Sequence, residues 1–493
     1  MSERGQETAP ATARSLRENV LTSIAALLVV GAIRPAFHTV VQRTFGPEAN
    51  GHAATLVSLI FLASLPATAS IPTMMVRHVS LARGAGREDE ARAHVALASI
   101  AALALGLLGA VAAPSLSGWL GRGPVSGVDV WIVLAGIAGY TYWRLVRSLF
   151  VATSQAALGL RSDLISVLAL PIGLGAVIVT DQPTLVVLAY DAVFLTFVAV
   201  TVHAAAPWAK LSAISPEARA SFLRYNGYGL VGYVASLAAR EISTLVLDGR
   251  APRGAVGDFS LALSFLTLLA FAPRVLELPL IHELASMSGK NERERARTLT
   301  ELSLHRLFII VLSVSAGAAI LAGPLLSLAG AELSTTKLAF ALLAFAFGSE
   351  MAQSPAANLL ISDAHPRVLA LLGSSSLVAA CLWWWIDPVI PGLDDPMLRV
   401  VLGLCASHAV KTIAIGGLVA IQFRVRSFTA PLRKSAALVL SLGAVTAAQT
   451  ELLHPFIVAA IYTISMLALF RADFRALATA LLSRNGDAST NRD

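Results

Sequence analysis

Apolar residues run along this chain in blocks of about twenty, separated by short polar stretches, and within a block they do not alternate. "LTSIAALLVVGAI" (21–33) and "LAFALLAFAF" (338–347) show the pattern. A block of that length, coiled as a helix, crosses a hydrocarbon core of ~30 Å. Fourteen such helices are predicted, over 20–41, 54–76, 95–116, 129–153, 164–180, 185–203, 225–247, 257–281, 301–321, 338–361, 368–386, 400–421, 435–447 and 455–470. The strands of a membrane barrel would alternate polar and apolar positions over about ten residues. Lipid leaves no other option than helices for segments like these. The expected fold is an all-α polytopic membrane protein of about 14 transmembrane helices. No connection between blocks reaches 25 residues, so no folded extramembrane domain is predicted.

Composition agrees. Of 493 residues, 56% are apolar and only 14% charged, with a mean hydropathy of +0.72. A soluble domain carries roughly a quarter of its residues charged. Cys381 and Cys405 both fall within predicted spans, so neither a disulfide framework nor a zinc spacing is present. The start, "MSERGQETAPATARSLREN", is polar and reads as a cytoplasmic tail, and "SRNGDASTNRD" at the end reads as a polar tail.

The net charge of +7 has a membrane explanation and calls for no nucleic acid. With the N-terminus placed in the cytoplasm, inside loops and tails hold 24 of the 37 Lys and Arg, outside loops 6, and the spans 7. This bias is that of the positive-inside rule, for an even number of spans with both termini inside.

Two cytoplasmic loops are alike. "LARGAGREDEARAH" (81–94) and "SMSGKNERERART" (286–298) align at Gly86/Gly289, Arg87/Lys290, Asp89/Glu292 and Arg92/Arg295; upstream, "ANGHAA" (49–54) faces "AVGDFS" (255–260). Paired lobes of six helices are a recurrent transporter plan. The predicted organisation is a tail (1–19), an N-lobe (20–207), a linker (208–224), a C-lobe with its trailing loop (225–434), two further helices (435–470) and a second tail (471–493).

The first outside loop, "QRTFGPEANG" (42–51), contains a Gly-Pro turn and a closing Gly. Gly46 tolerates positive φ and Pro47 fixes its own, which suits a tight hairpin. Arg43 can snorkel to headgroups, and Gly51 lets the second helix start close to a neighbour. This stretch resembles the first external loop of the polysaccharide-exporter branch of the MOP superfamily, which includes Wzx-type flippases. "SLPATASIPTMMVRHVSLARGAGREDEARAH" (64–94) and "DGRAPRGAVGDFSLALSFLTLLAFAP" (248–273) are also similar to that branch, although Phe259 stands, shifted, for the usual Tyr after Gly257. The resemblance implies a flippase, not an enzyme, moving a polyprenyl-diphosphate-linked oligosaccharide across the bacterial inner membrane. Alternating access through a cationic cavity would carry it, with polysaccharide polymerases as partners and no cofactor.

Charges within the spans point the same way, since each must face protein or water. Arg34 and His38 share a face of helix 1, and Tyr140, Arg144 and Arg147 a face of helix 4. Arg240 stands beside Glu241 on helix 7, and Arg274 three before Glu277 on helix 8; His408 and Lys411 share a face of helix 12. Arg306 and Arg147, near span ends, are expected to snorkel. Arg34 and Arg144 have no acidic residue within a turn of their own helices and lead the candidates. Guanidinium groups grip phosphate bidentately and stay charged when desolvated. The candidate anion site is therefore Arg34, His38, Arg144, Arg147, Arg240, Arg274 and Lys411, with Asp191, Glu241 and Glu350 as candidates for H⁺ or Na⁺ coupling.

Three rivals stand beside it. A MATE-type cation antiporter would have a carboxylate on helix 1, where this chain has Arg34 and His38. A lipid II flippase differs only in its glycan. A polytopic polymerase or ligase would have a large catalytic outside loop, and "PVIPGLDDPMLR" (388–399) is short, its acids read as solvated. Trp383, Trp384 and Trp385 are expected to form an interfacial anchor.

Overall fold

The computed structural model describes residues 11–473 apart from 85, 122, 154, 210–213, 215, 270–279, 281–283, 285–286, 288–291, 332–334, 363–365, 387–393, 426–430, 451 and 472. The described residues are mostly helical, without a strand. They fall into two compact units, Met1–Gly257 and Asp258–Asp493.

In the first unit, α1 (Ala11–Thr68) and α2 (Ile71–Gly84) are followed by α3 (Glu88–Leu120), α4 (Val128–Ala152), α5 (Ala156–Val167), α6 (Ala169–Thr180), α7 (Val186–Ala205) and α8 (Pro216–Arg250). The next helix, α9 (Arg253–Leu269), begins in this unit. The remaining helices are α10 (Arg293–Ile320), α11 (Ala322–Leu328), α12 (Thr336–Ala352), α13 (Ser354–Ser362), α14 (Pro366–Ile386), α15 (Pro396–Phe423), α16 (Pro431–Gln449) and α17 (Pro455–Leu469). Helices 1 and 2 of the sequence are both in α1, with α2 continuing the second, while α5–α6, α10–α11 and α12–α13 are each one rod with a break, so the described elements make fourteen rods. Seven described segments are long and apolar enough to cross a membrane, and 370–386, 436–449 and 455–469 are shorter apolar helices. This is a multi-pass membrane protein.

Burial follows the logic of lipid rather than water. On α3, Ala98, Ala102, Gly106, Gly109 and Ala113 face the protein while Leu103, Leu107 and Val111 are exposed. Small residues let backbones approach, and large apolar ones meet lipid. At Gly109 a Cβ would lie 2.0 Å from the Ala63 carbonyl oxygen, so α3 touches α1 backbone to backbone. The second half of α1 is largely buried, and α3, α4, α5 and α8 all pack on α1.

The turn expected in 42–51 is present and is as short as a hairpin allows, two helices meeting at Gly46. Helix continues through 42–53 and is broken only at Gly46, with φ 85° and ψ 172°. That backbone region is open essentially to glycine alone. Pro47 then starts the second helix, where its fixed φ suits a first turn and its missing N–H costs nothing.

Matching turns close the two aligned loops. The Arg87 N–H donates to the Ala82 carbonyl at 2.8 Å and Ala91 N–H to Arg87 at 3.1 Å; Glu292 donates to Met287 at 3.0 Å and Ala296 to Glu292 at 3.0 Å. The geometric register is therefore 205 residues, two more than the residue alignment suggests.

Within the second unit α10 packs on α12, α13, α16 and α17, and α15 packs on α12 and α14. Two local expectations are corrected there. Asp395 is an N-cap, its Oδ1 accepting from the Met397 N–H at 2.7 Å and the Leu398 N–H at 3.3 Å. Asp-Pro before an apolar run is an N-cap signal. The three tryptophans do not act together as an anchor. Trp383 Nε1 donates to the Arg399 carbonyl at 3.0 Å and Trp384 Nε1 to Val400 at 3.1 Å, and Trp385 alone is exposed. Gly403 gives the Trp384 indole its room.

Candidate functional site

The first unit gathers basic side chains around the middle of α1. Arg34 is placed there by α1 and meets α8, which brings Glu241 opposite. The guanidinium donates through Nη1 to Glu241 Oε1 at 3.1 Å and through Nη2 to Oε2 at 3.2 Å, with a long contact of 3.5 Å to Ser58 Oγ. Its flat face lies over Phe61, 5.1 Å from the ring centre. Arg240 folds back onto its own neighbour, donating Nε at 2.8 Å and Nη2 at 2.6 Å to Glu241 Oε1. Adjacent side chains on a helix point apart, but Arg240 reaches around on its long stem. Two guanidinium groups thus share one carboxylate. Arg34 and Glu241 are buried; the Arg240 side chain is 31% exposed.

An aromatic wall continues from this pair. Phe61 packs on Tyr140 at 4.6 Å, and Tyr140 on Trp143 and Phe194 at 5.6 and 5.3 Å. Arg144 stands one turn beyond Tyr140 on α4. It has no carboxylate partner among the described residues: Nε is buried without a hydrogen bond, and Nη2 reaches the Thr68 carbonyl only at 3.5 Å. Arg147 does not snorkel. It pairs with buried Asp163 of α5 at 3.1 Å, and Trp143 Nε1 donates to the same carboxylate at 3.0 Å. Burial of Asp163, with Arg147 only 16% exposed, favours the pair over water.

His38 is one turn from Arg34 but belongs to the hairpin. Its Nδ1 is 2.7 Å from Asn50 Oδ1, and Asn50 Nδ2 donates to Gln42 Oε1 at 2.7 Å and to the Gly257 carbonyl at 3.0 Å. Gly51 sits so close to α9 that a Cβ would lie 1.9 Å from the Arg253 carbonyl oxygen; at Gly257 a Cβ would lie 2.3 Å from that of Pro47. The two segments aligned as repeats, 49–54 and 255–260, therefore touch at their glycines.

The three candidate coupling acids differ. Glu241 is held by two arginines. Glu350 of α12 accepts hydrogen bonds from His408 and Lys411 of α15, and Phe347 covers the imidazole at 4.5 Å. Lys411 is thus engaged with a carboxylate. Asp191 of α7 is fully buried, and neither of its oxygens has a hydrogen-bond partner among the described residues. Gly136 makes the space for it, since a Cβ there would lie 2.7 Å from Asp191 Oδ1. Arg274, Glu277, Pro273 and Pro279 lie outside the described residues.

No family model and no curated protein matches the chain in sequence. Solved structures do match. The lipid II flippase MurJ in an inward closed conformation superposes with a TM-score of 0.63 at 14% identity, covering 92% of this chain and 100% of that one. A multidrug resistance MATE family transporter of the MOP superfamily, inward-facing, gives 0.59 at 16%, covering 82% and 94%. The Vibrio cholerae MATE transporter VcmN, in its bent form, gives 0.54 at 15%, covering 83% and 97%. The chain has the fold of the MATE and MurJ transporters.

At these identities the likeness is one of fold, and it is a likeness to transporters and flippases rather than to enzymes. Ser58, Phe61 and Asp163 were missed from the sequence, as was Tyr190, which packs against Phe61. Asp163 could have been noticed as a lone acid in a predicted inside connection; the aromatics are indistinguishable from core by pattern.

Proposed function

We propose that this protein is a flippase for a polyprenyl-diphosphate-linked oligosaccharide, moving it from the cytoplasmic to the outer leaflet of the bacterial inner membrane for surface polysaccharide synthesis. The observation that carries the reading is the surplus of positive charge in the first unit. Arg34 and Arg240 share one carboxylate, and Arg144 has none among the described residues. Leaving a guanidinium uncompensated at that depth is costly, so a ligand that supplies the missing negative charge is favoured. A diphosphate suits it in charge and in bidentate geometry.

The binding residues are Arg34, Arg144 and Arg240, with Arg147 held in place by Asp163. The diphosphate and glycan pass by alternating access of two six-helix lobes, 20–207 and 225–434, while the polyprenyl tail stays in lipid. The lobe reading rests on the repeated turn geometry at Ala82/Arg87 and Met287/Glu292. Both termini lie in the cytoplasm, on the basic-residue bias of 24 inside to 6 outside. Coupling to H⁺ falls to Asp191, because a buried carboxylate with no partner among the described residues costs far more ionised than protonated.

Asp191 is also the observation that favours a second reading, a cation antiporter of the MATE kind. The test is a strain lacking the gene, with its lipid-linked sugar pool labelled. Build-up of the polyprenyl-linked glycan on the cytoplasmic leaflet, relieved by the wild-type gene but not by Arg144→Ala, supports the flippase. An unchanged pool together with altered efflux of cationic dyes supports the antiporter.

A further inference from the structure

The twin arginines of the first unit are already occupied by the chain's own carboxylate. Oε1 of Glu241 takes three N–H donors, Arg34 Nη1, Arg240 Nε and Arg240 Nη2, and Oε2 takes Arg34 Nη2. Two forks closed on one pair of oxygens is the arrangement in which guanidinium groups grip a phosphate. Glu241 is only 2% exposed, whereas Arg240, on the other side of it, is 31% exposed and is the way in.

We propose that Glu241 is a resident stand-in for the ligand: a phosphate oxygen pair displaces it from Arg34 and Arg240, and the displaced carboxylate takes up one proton. The inference rests on the flippase reading of this site and adds its regulation. The exchange balances. One anionic oxygen pair leaves the two guanidinium groups and another replaces it. One proton from water converts the glutamate carboxylate to a carboxyl, so the released side chain is neutral. Without that proton, binding would leave an ionised carboxylate stranded in a buried setting beside an incoming anion, which is the costly outcome.

Few groups compete for the proton. Those facing Glu241 are Arg34 and His38 from α1, Tyr190 from α7 and Arg240 from α8. The arginines stay charged, Tyr190 is packed between Phe37 and Phe61, and His38 Nδ1 is engaged with Asn50. Empty, the site re-forms its internal pair and presents less free positive charge, which would keep stray anions out. Loaded, it holds one proton per head group.

The experiment is calorimetric titration of the full chain in detergent micelles with farnesyl diphosphate, in two buffers of different ionisation enthalpy. Infrared difference spectra of protein carrying ¹³C-glutamate accompany it. Binding with uptake of about one proton, together with a new labelled carboxyl band, supports displacement. Glu241→Gln should bind several-fold tighter and lose that uptake and that band; binding by Glu241→Gln alone overturns displacement, since the wild-type carboxylate is then not exchanged. Because removing a negative charge tightens anion binding by itself, the proton count decides. Wild-type binding with no proton uptake and no labelled band overturns the displacement while leaving the flippase reading intact. No binding by either folded protein overturns both.

Discussion

Arg34 and Glu241, 207 residues apart in the chain, meet through two parallel hydrogen bonds of 3.1 and 3.2 Å. The pair fixes α8 against α1 and concentrates two guanidinium groups on one carboxylate. Its members are not equivalent. Without Arg34, Glu241 keeps the Arg240 fork; without Glu241, buried Arg34 keeps only a 3.5 Å contact to Ser58. Glu241→Ala is therefore expected to destabilise the protein by about 3–5 kcal/mol, and Arg34→Ala by about 1–2 kcal/mol. Thermal or denaturant unfolding in detergent checks the ranking, and the reverse order would refute it.

Gly46 and Gly51 separate two kinds of glycine requirement. Gly46 has open space but a backbone conformation reserved for glycine. Alanine there should cost about 1–3 kcal/mol in strain. Gly51→Ala drives a methyl group into the Arg253 carbonyl, so the start of α9 must move. Its loss of stability should exceed that of Gly46→Ala, and a disulfide-trapping distance between 47 and 254 should lengthen only in the Gly51 variant.

Asp191→Asn keeps the shape of a buried side chain whose oxygens have no partners. The expected outcome is a melting temperature equal to or above that of the wild type, with transport that no longer responds to a proton gradient. A large loss of stability would mean that Asp191 is ionised and structurally paired.

Arg144 and Arg147 lie one turn apart on α4 and should respond in opposite ways. Arg147→Ala strands the buried Asp163 carboxylate and is expected to lower stability by about 3–5 kcal/mol. Arg144→Ala removes a cation that no carboxylate among the described residues answers, so stability should hold or rise while transport falls at least tenfold, about 1.4 kcal/mol in the barrier. Melting curves paired with transport rates distinguish the two.

The helices were legible because a membrane span is a local property: each apolar run carries its own length and its own backbone hydrogen bonds. The break at Gly46 was legible as a turn but not as a single residue, since nothing in "TFGPEANG" shows how little backbone must leave the helix. The charged site was legible only as a set of candidates. Arg34 finds its partner 207 residues away, Glu350 its partners 58 and 61 residues on, and Arg147 across a helix break at Asp163. Intrahelical spacing could expose none of these. It did expose Arg144, which has no acid within a turn of its own helix and no carboxylate partner among the described residues.

The most direct measurement is transbilayer movement of a fluorescent polyprenyl-diphosphate oligosaccharide in proteoliposomes containing the wild type, Arg144→Ala or no protein. Movement by the wild type, slowed at least tenfold in a normally folded Arg144→Ala variant, is the expected result. Equal rates with and without the protein, while the same vesicles expel a cationic dye, would contradict it.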